Sequence, residues 1–286
     1  MIDRYLIVDG HVHTFVSLEV ALKIREAFNK MYDVQFENSG TGAIDEVLKN
    51  MKENSIDYTV TANFASPKII HRNNMWSLDM AKEHKNLVPL VSFHPDMEGN
   101  LPELLEEYIG LGAKGVKFHP MAQGFKPYHA ALEALYRHCN ELGFVMQFHC
   151  GRVSNARLNE YADLSMILPV IDKYPGIPFI LTHMADGNVE DVLWLSKNYE
   201  NVYFDTSIVI TGHPSLIEYN EPSWLDDDMV VEVINTIGAG RVLFGSDYPW
   251  GSPKHDIDRI LKLKLDDGQK SLILGRNSYQ LFKIES

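Results

Sequence analysis

Short, nearly continuous apolar runs recur along the chain, each followed by a stretch whose apolar residues fall three and four positions apart. The runs lie at 5–9, 56–63, 87–93, 115–119, 144–149, 178–183, 202–205 and 241–245. Strands covered on both faces read this way, because neither face alternates with solvent. The segment 43–53 carries Ile44, Val47, Leu48 and Met51, which form one stripe of a helix. Comparable stripes occupy 101–111, 130–142, 189–199, 229–237 and 255–263, and Gly110, Gly143 and Gly238 fall near their ends. A last segment, 269–282, is expected to close the fold as a helix over the sheet.

Eight strand–helix repeats predict an α/β protein, a single (β/α)8 TIM barrel occupying 1–286. The segment 14–40 breaks the rhythm after the first strand. It has its own apolar periodicity (Leu18, Leu22, Ile24, Phe28, Met31) and is expected to be a helical insertion, either a lid over the mouth or a peripheral addition. The 286 residues suit one barrel, and 45% hydrophobic residues supply a large core.

Charge narrows the partners. With 39 acidic and 26 basic residues the formal net charge is −13, unsuited to neutralising a phosphate backbone, so no nucleic-acid partner is expected. No apolar stretch reaches the ~20 residues of a membrane helix, so no membrane partner is expected either. The beginning of the sequence shows no apolar run of signal-peptide length. Two cysteines, Cys139 and Cys150, do not make a disulfide framework, and a cytoplasmic setting is expected.

The chemistry lies at the strand ends. His11 and His13 stand two apart at the end of the first strand, so both rings face one side. His149 ends the fifth strand, His183 the sixth, and Asp247 follows the eighth. In a barrel these ends share one mouth, where active sites of this fold sit. Imidazoles and a carboxylate suit one divalent metal, Zn²⁺ first, with Mn²⁺, Fe²⁺ or Co²⁺ as substitutes. Such an ion can activate water and polarise a carbonyl. His183, left uncoordinated, is the candidate acid or base, and Asp247 combines ligation with contact to the attacking water. Asp205 ends the seventh strand, placed to orient a histidine.

Other mouth residues have two readings each. Lys117 and His119 share a face of the fourth strand and offer a cation and a hydrogen-bond donor to an anionic substrate, while Lys117 is equally suited to an internal ion pair. Arg152 can clamp a carboxylate or sit solvated in a loop. His94 and Cys150 read as structural. The loop 207–222, with Tyr219 and then Trp224, is expected to shape the pocket.

Several motifs together carry a family resemblance: Val8-Asp9-Gly10-His11-Val12-His13, Gly115-Val116-Lys117-Phe118-His119-Pro120, Phe148-His149-Cys150-Gly151, Leu181-Thr182-His183-Met184-Ala185 and Leu243-Phe244-Gly245-Ser246-Asp247-Tyr248-Pro249. The chain resembles the amidohydrolase superfamily, and more closely the amidohydrolase-related branch that includes aminocarboxymuconate semialdehyde decarboxylase, resorcylate decarboxylases and pyrone-dicarboxylate lactonase. The resemblance runs over essentially the whole chain. It implies that His11, His13, His149 and Asp247 are metal ligands and that His183 is a catalytic acid/base or a further ligand. In binuclear relatives a lysine on the fourth strand is carboxylated and bridges two metals. The mononuclear branch has a similar Lys-Phe-His-Pro strand, so one metal is expected here, with Lys117 as the bridging residue if there are two. A homodimer is implied in the same way.

Three functions are compatible with these residues. The first is hydrolysis of an amide, lactone or ester of a small, carboxylated substrate by a metal-activated water. The second is metal-dependent non-oxidative decarboxylation of an unsaturated or aromatic acid. The third is a barrel that binds a ligand without catalysis.

Overall fold

The computed structural model describes residues 5–32, 40–152, 155–208 and 226–285. Eight parallel strands form one sheet in sequence order: β1 Val8–Val12, β2 Tyr58–Thr61, β3 Leu87–Ser92, β4 Gly115–Phe118, β5 Met146–Phe148, β6 Phe179–Leu181, β7 Val202–Asp205 and β8 Val242–Leu243. Gly10 N donates to Phe244 O at 2.9 Å and Asp247 N to His11 O at 2.8 Å, which brings the last strand back to the first. Helices connect the strands, so the fold is the (β/α)8 barrel that the repeats predict. All eight strands fall within or across the predicted runs.

Alternation along each strand sorts its residues into two layers. Val116, Phe118, Met146, Phe148, Phe179, Leu181, Val202 and Phe204 belong to the large core that also takes in the apolar faces of the helices. Val8, Val60, Val88, Leu90, Val145, Ile180 and Leu243 form a second, inner cluster. Above that apolar floor the interior turns polar: Lys117, Gln147, His11 and Asp205 are all buried. Gln147 Nε2 crosses the barrel to donate to Gly10 O at 3.0 Å.

The expected closing helix is present and differs only in detail: Asp267–Ser271, a π-helical turn Leu272–Arg276 and Asn277–Leu281 follow one another without a break. Beyond them Phe282 and Ile284 join the inner cluster and plug the amino-terminal end of the barrel. The glycines also differ in detail. Gly143 and Gly238 take positive φ as expected, but after the helix Leu101–Gly110 the positive φ falls at Gly112.

The interruption after β1 contains a helix, Leu18–Tyr32, with Ala21, Phe28 and Tyr32 buried. Part of the expected insertion, residues 33–39, lies outside the described residues, as do His213, Tyr219 and Trp224. Among the described residues no helix is long and apolar enough to cross a membrane.

Candidate metal centre

His11, His13 and Asp247 each bring a ligand atom to one place: their donor atoms lie within 4.8 Å of one another, and all three side chains are buried or nearly so. Asp247 Oδ1 is 3.3 Å from His11 Nε2 and 3.1 Å from His13 Nε2. Burial pushes the His11 ring down to about 4 and also lowers His13, so both imidazoles stay neutral with lone pairs to offer. Burial opposes the charge on Asp247, yet the attraction of His11 and a hydrogen bond with His13 hold its carboxyl far below the usual range. Two neutral nitrogens and a carboxylate oxygen around one point form a donor set of the kind divalent cations take. The residues therefore fit a metal.

The backbone is bent to make this possible. Asp247 sits at φ 55°, a left-handed conformation that costs a non-glycine residue roughly 1–3 kcal/mol and recurs at functional sites. Its loop is anchored by Asp9, whose carboxyl accepts from Ser246 N at 2.9 Å and Ser246 Oγ at 2.6 Å. Asp9 therefore faces the loop and takes no part in the donor set. Burial pushes its carboxyl up to about 7. A second left-handed stretch runs from His183 to Gly187, directly after β6.

Asp205 fixes the chemistry of His11. Its Oδ2 accepts from His11 Nδ1 at 2.9 Å, so the proton sits on Nδ1 and the Nε2 lone pair faces the centre. Its Oδ1 accepts from His183 N at 2.9 Å and Ser207 Oγ at 2.5 Å. Burial works against this carboxylate, but His11, His183 and Ser207 hold it below the usual range. Lys117 Nζ donates to His11 Nε2 at 3.0 Å rather than to a carboxylate. Its surroundings are fully buried, which pulls the ammonium down to about 8 against the attraction of Asp205 and Asp247.

His149 and His183 form an adjoining pair. His149 Nε2 donates to Gly151 O at 2.9 Å, which leaves its Nδ1 to accept from His183 Nε2 at 3.3 Å. His183 Nδ1 stands 2.9 Å from Ser207 Oγ. In this arrangement both nitrogens of His149 are engaged, and its ring lies flat on His119, with centroids 3.7 Å apart. Burial lowers both rings well below the ordinary histidine value. His119 Nδ1 accepts from Ala122 N at 3.3 Å, so its Nε2 donates to Tyr32 Oη at 3.3 Å. Thus Leu18–Tyr32 contributes directly to the mouth.

Two sequence candidates stand apart. The Arg152 guanidinium is paired with Asp186 and its side chain is 64% exposed, at the rim of the mouth. His94 bonds to Gln123 O and Asp96 N, a structural role. Cys150 lies in the outer core as expected.

Beside His13 lies a cavity of about 590 Å³, within the usual range for small-molecule sites. Phe15, Phe28, Phe64 and Trp250 wall it, with Arg72, Asn73 and Trp76 from the helix Ile70–Glu83 on its border. Phe28 lies over Tyr32 at 5.3 Å between centroids and Trp250 meets His13 edge-on at 5.0 Å. The sequence gives little signal for this wall, because each of its aromatic residues reads as ordinary core.

The profile described as Amidohydrolase matches residues 8–284. The chain belongs to the amidohydrolase family. It is an enzyme of that family. Gamma-resorcylate decarboxylase from Polaromonas sp. (strain JS666 / ATCC BAA-500) is 26% identical over 122 residues, which are 40% of this chain and 37% of that protein. The match thus spans well under half of that relative's length.

Two solved structures share the barrel almost end to end. One is 5-carboxyvanillate decarboxylase from Novosphingobium aromaticivorans, complexed with manganese and 4-hydroxy-3-methoxy-5-nitrobenzoic acid. It has a TM-score of 0.69 and 14% identity, covering 98% of this chain and 96% of that one. The other is a putative 2-pyrone-4,6-dicarboxylic acid hydrolase from Pseudomonas putida, with a TM-score of 0.68 and 17% identity over 99% of each chain. At these identities the likeness concerns the fold.

Proposed function

We propose that this enzyme is a metal-dependent decarboxylase of a small, planar aromatic or unsaturated carboxylic acid. The observation that carries this reading is the aromatic-walled cavity with the metal-centre residue His13 on its border. A flat apolar body fits between Phe28, Phe64 and Trp250, and its carboxylate is then directed to His11, His13 and Asp247, which would hold the cation. When bound, the ion would orient and polarise that carboxylate. Zinc and manganese both suit the donors, and the manganese in a structural neighbour supports the second as much as composition supports the first.

In this account the chain's own groups do the rest. Lys117 supplies positive charge beneath the acid, and the aromatic walls exclude water, which favours conversion of a carboxylate to neutral CO₂. As the carbon–carboxylate bond breaks, its electron pair stays on the ring carbon, and that carbon takes a proton. His183, fixed by Ser207 and the Asp205-bound backbone, is the proposed donor, through Nε2 and with His149 beside it. Asp247 is the alternative donor, although it must first be protonated. His119 and Lys117 remain proposed substrate contacts, and Arg152 would have to leave Asp186 to become one. The helix Leu18–Tyr32 is the proposed lid.

A second reading, hydrolysis of a lactone, ester or amide, uses the same centre. It is compatible with the position of Asp247, whose carboxylate beside His11 and His13 stays ionised and can accept a hydrogen bond from an attacking water. The test is a panel of aromatic acids and lactones incubated with metal-loaded enzyme in D₂O. Decarboxylation gives CO₂ and deuterium at the vacated carbon. Ring opening or acid formation, with oxygen taken from ¹⁸O-labelled water and no CO₂, would replace it with the hydrolytic reading.

A further inference from the structure

We infer that Arg72 forms an anion-binding subsite in the cavity, so that the preferred substrate carries a second anionic group on its planar body, away from the carboxylate that reacts. This deepens the proposed function and rests on it. Thr14, Asn63 and Gln123 on the cavity's lining are taken up by bonds within the protein, which leaves two places with polar chemistry to offer a ligand. One is His13 in the metal centre. The other is the first turns of the helix Ile70–Glu83, which follows β2, where Arg72 and Asn73 border the same space.

Arg72 makes no hydrogen bond or ion pair with any described residue, unlike Arg152, Arg241 and Arg259, whose guanidinium groups are taken up by Asp186, by Ser196 O and Tyr199 O, and by Asp227. Asn73 Nδ2 is buried and also has no acceptor among the described residues. Trp250 Nε1, across the apolar wall, is in the same condition. Among the described residues no Asp or Glu lines the cavity. Two of these donors are thus buried without an acceptor, and beside them the exposed Arg72 brings a full positive charge to the border of a space without a compensating carboxylate. The ligand chemistry that completes such a set is an acceptor with negative charge, and a guanidinium is shaped to take a carboxylate through two parallel N–H bonds. The cavity's size admits a ring bearing two such groups.

Cavity occupancy can be followed by quenching of tryptophan fluorescence, since Trp76 and Trp250 both border it. Manganese-reconstituted protein is titrated with benzoate and with benzene-1,3- and benzene-1,4-dicarboxylate. The native chain is expected to bind one of the dicarboxylates about tenfold more tightly than benzoate, the size of a charge-assisted hydrogen-bonded contact. Arg72→Gln brings that ratio to within about twofold of unity, and Arg72→Lys keeps an intermediate preference. Arg72 is exposed, so neither change threatens folding. A native ratio near one, or an unchanged ratio in Arg72→Gln, overturns the subsite. Benzoate and Asp247→Asn separate this from failure of the underlying reading. If benzoate binding weakens in Asp247→Asn while the dicarboxylate preference is missing, the subsite alone falls. If benzoate binding ignores Asp247→Asn, or no aromatic acid binds, the assignment of the cavity as the active site falls and takes the subsite with it.

Discussion

His11 and Asp205, 194 residues apart, meet through a 2.9 Å hydrogen bond from Nδ1 to Oδ2 at the carboxyl ends of β1 and β7, the two strands on either side of β8. That contact decides which nitrogen of His11 faces the metal centre, and Asp205 holds the backbone of His183 with its other oxygen. One carboxylate thereby sets the posture of a proposed ligand and of the proposed proton donor.

Asp205→Asn keeps the shape but can present its amide N–H to His11 Nδ1, favouring the wrong tautomer. Metal affinity is expected to fall ~10–100-fold, as for other groups that orient a metal-bound histidine. Chelator competition monitored with a fluorescent indicator measures this. An affinity equal to that of the native chain would show that Asp205 does not govern the centre.

Gly245→Ala tests how tightly the centre is built. A Cβ at this position would stand 2.9 Å from His11 Cβ and 3.5 Å from Asp205 Cβ. The nearer contact is too short for either side chain to stay in place, so metal binding is expected to drop by at least tenfold while circular dichroism still reports a folded barrel. Unchanged metal affinity would mean that the His11–Asp205 pair tolerates displacement.

Acid should destabilise the metal-stripped protein in a defined window. In the unfolded chain the histidines take up protons near 6.5, whereas burial holds His11 to about 4 and lowers His13, His119 and His149 as well. Below about 6.5 the unfolded state therefore binds more protons, and stability falls as pH drops, down to about 4. His11 alone is worth roughly 3 kcal/mol over that range, as an order of magnitude. Asp9 acts oppositely: lifted to about 7 by burial, it is protonated in the fold before it is in the unfolded chain, and so it favours the fold on acidification. Four imidazoles outweigh one carboxyl. Melting temperature should decline steadily from pH 7 to pH 5, with a shallower decline in His11→Gln. A flat or rising curve would show that the rings are not held neutral.

How much of this was legible in the sequence depends on the physics involved. The strands could be read because burial on both faces leaves continuous apolar runs, as in Phe144-Val145-Met146-Gln147-Phe148. His11, His13 and Asp247 could be read because strand ends share a mouth whatever the loops do. Asp205 could be read as an orienting group for the same reason. Ring direction could not. His149 ends its strand as expected, yet its nitrogens are taken by Gly151 O and His183, a matter of local hydrogen bonding that spacing does not encode. The cavity wall was also hidden, since Phe15, Phe28, Phe64 and Trp250 come from separate segments and look like core residues one at a time. Nor does helical periodicity at the end of the chain distinguish packing of Phe282 outside the barrel from its entry into the floor.

His11, His13 and Asp247 are proposed to hold a divalent cation. Metal content per chain, by elemental analysis after chelator-free purification and manganese or zinc reconstitution, tests it most directly, with Asp247→Asn and His149→Ala measured alongside. About one equivalent is expected in the native chain, with a large loss in Asp247→Asn, and a loss in His149→Ala only if that ring turns from Gly151 O to join the ligands. No bound metal after reconstitution, or the same content in Asp247→Asn as in the native chain, would contradict it.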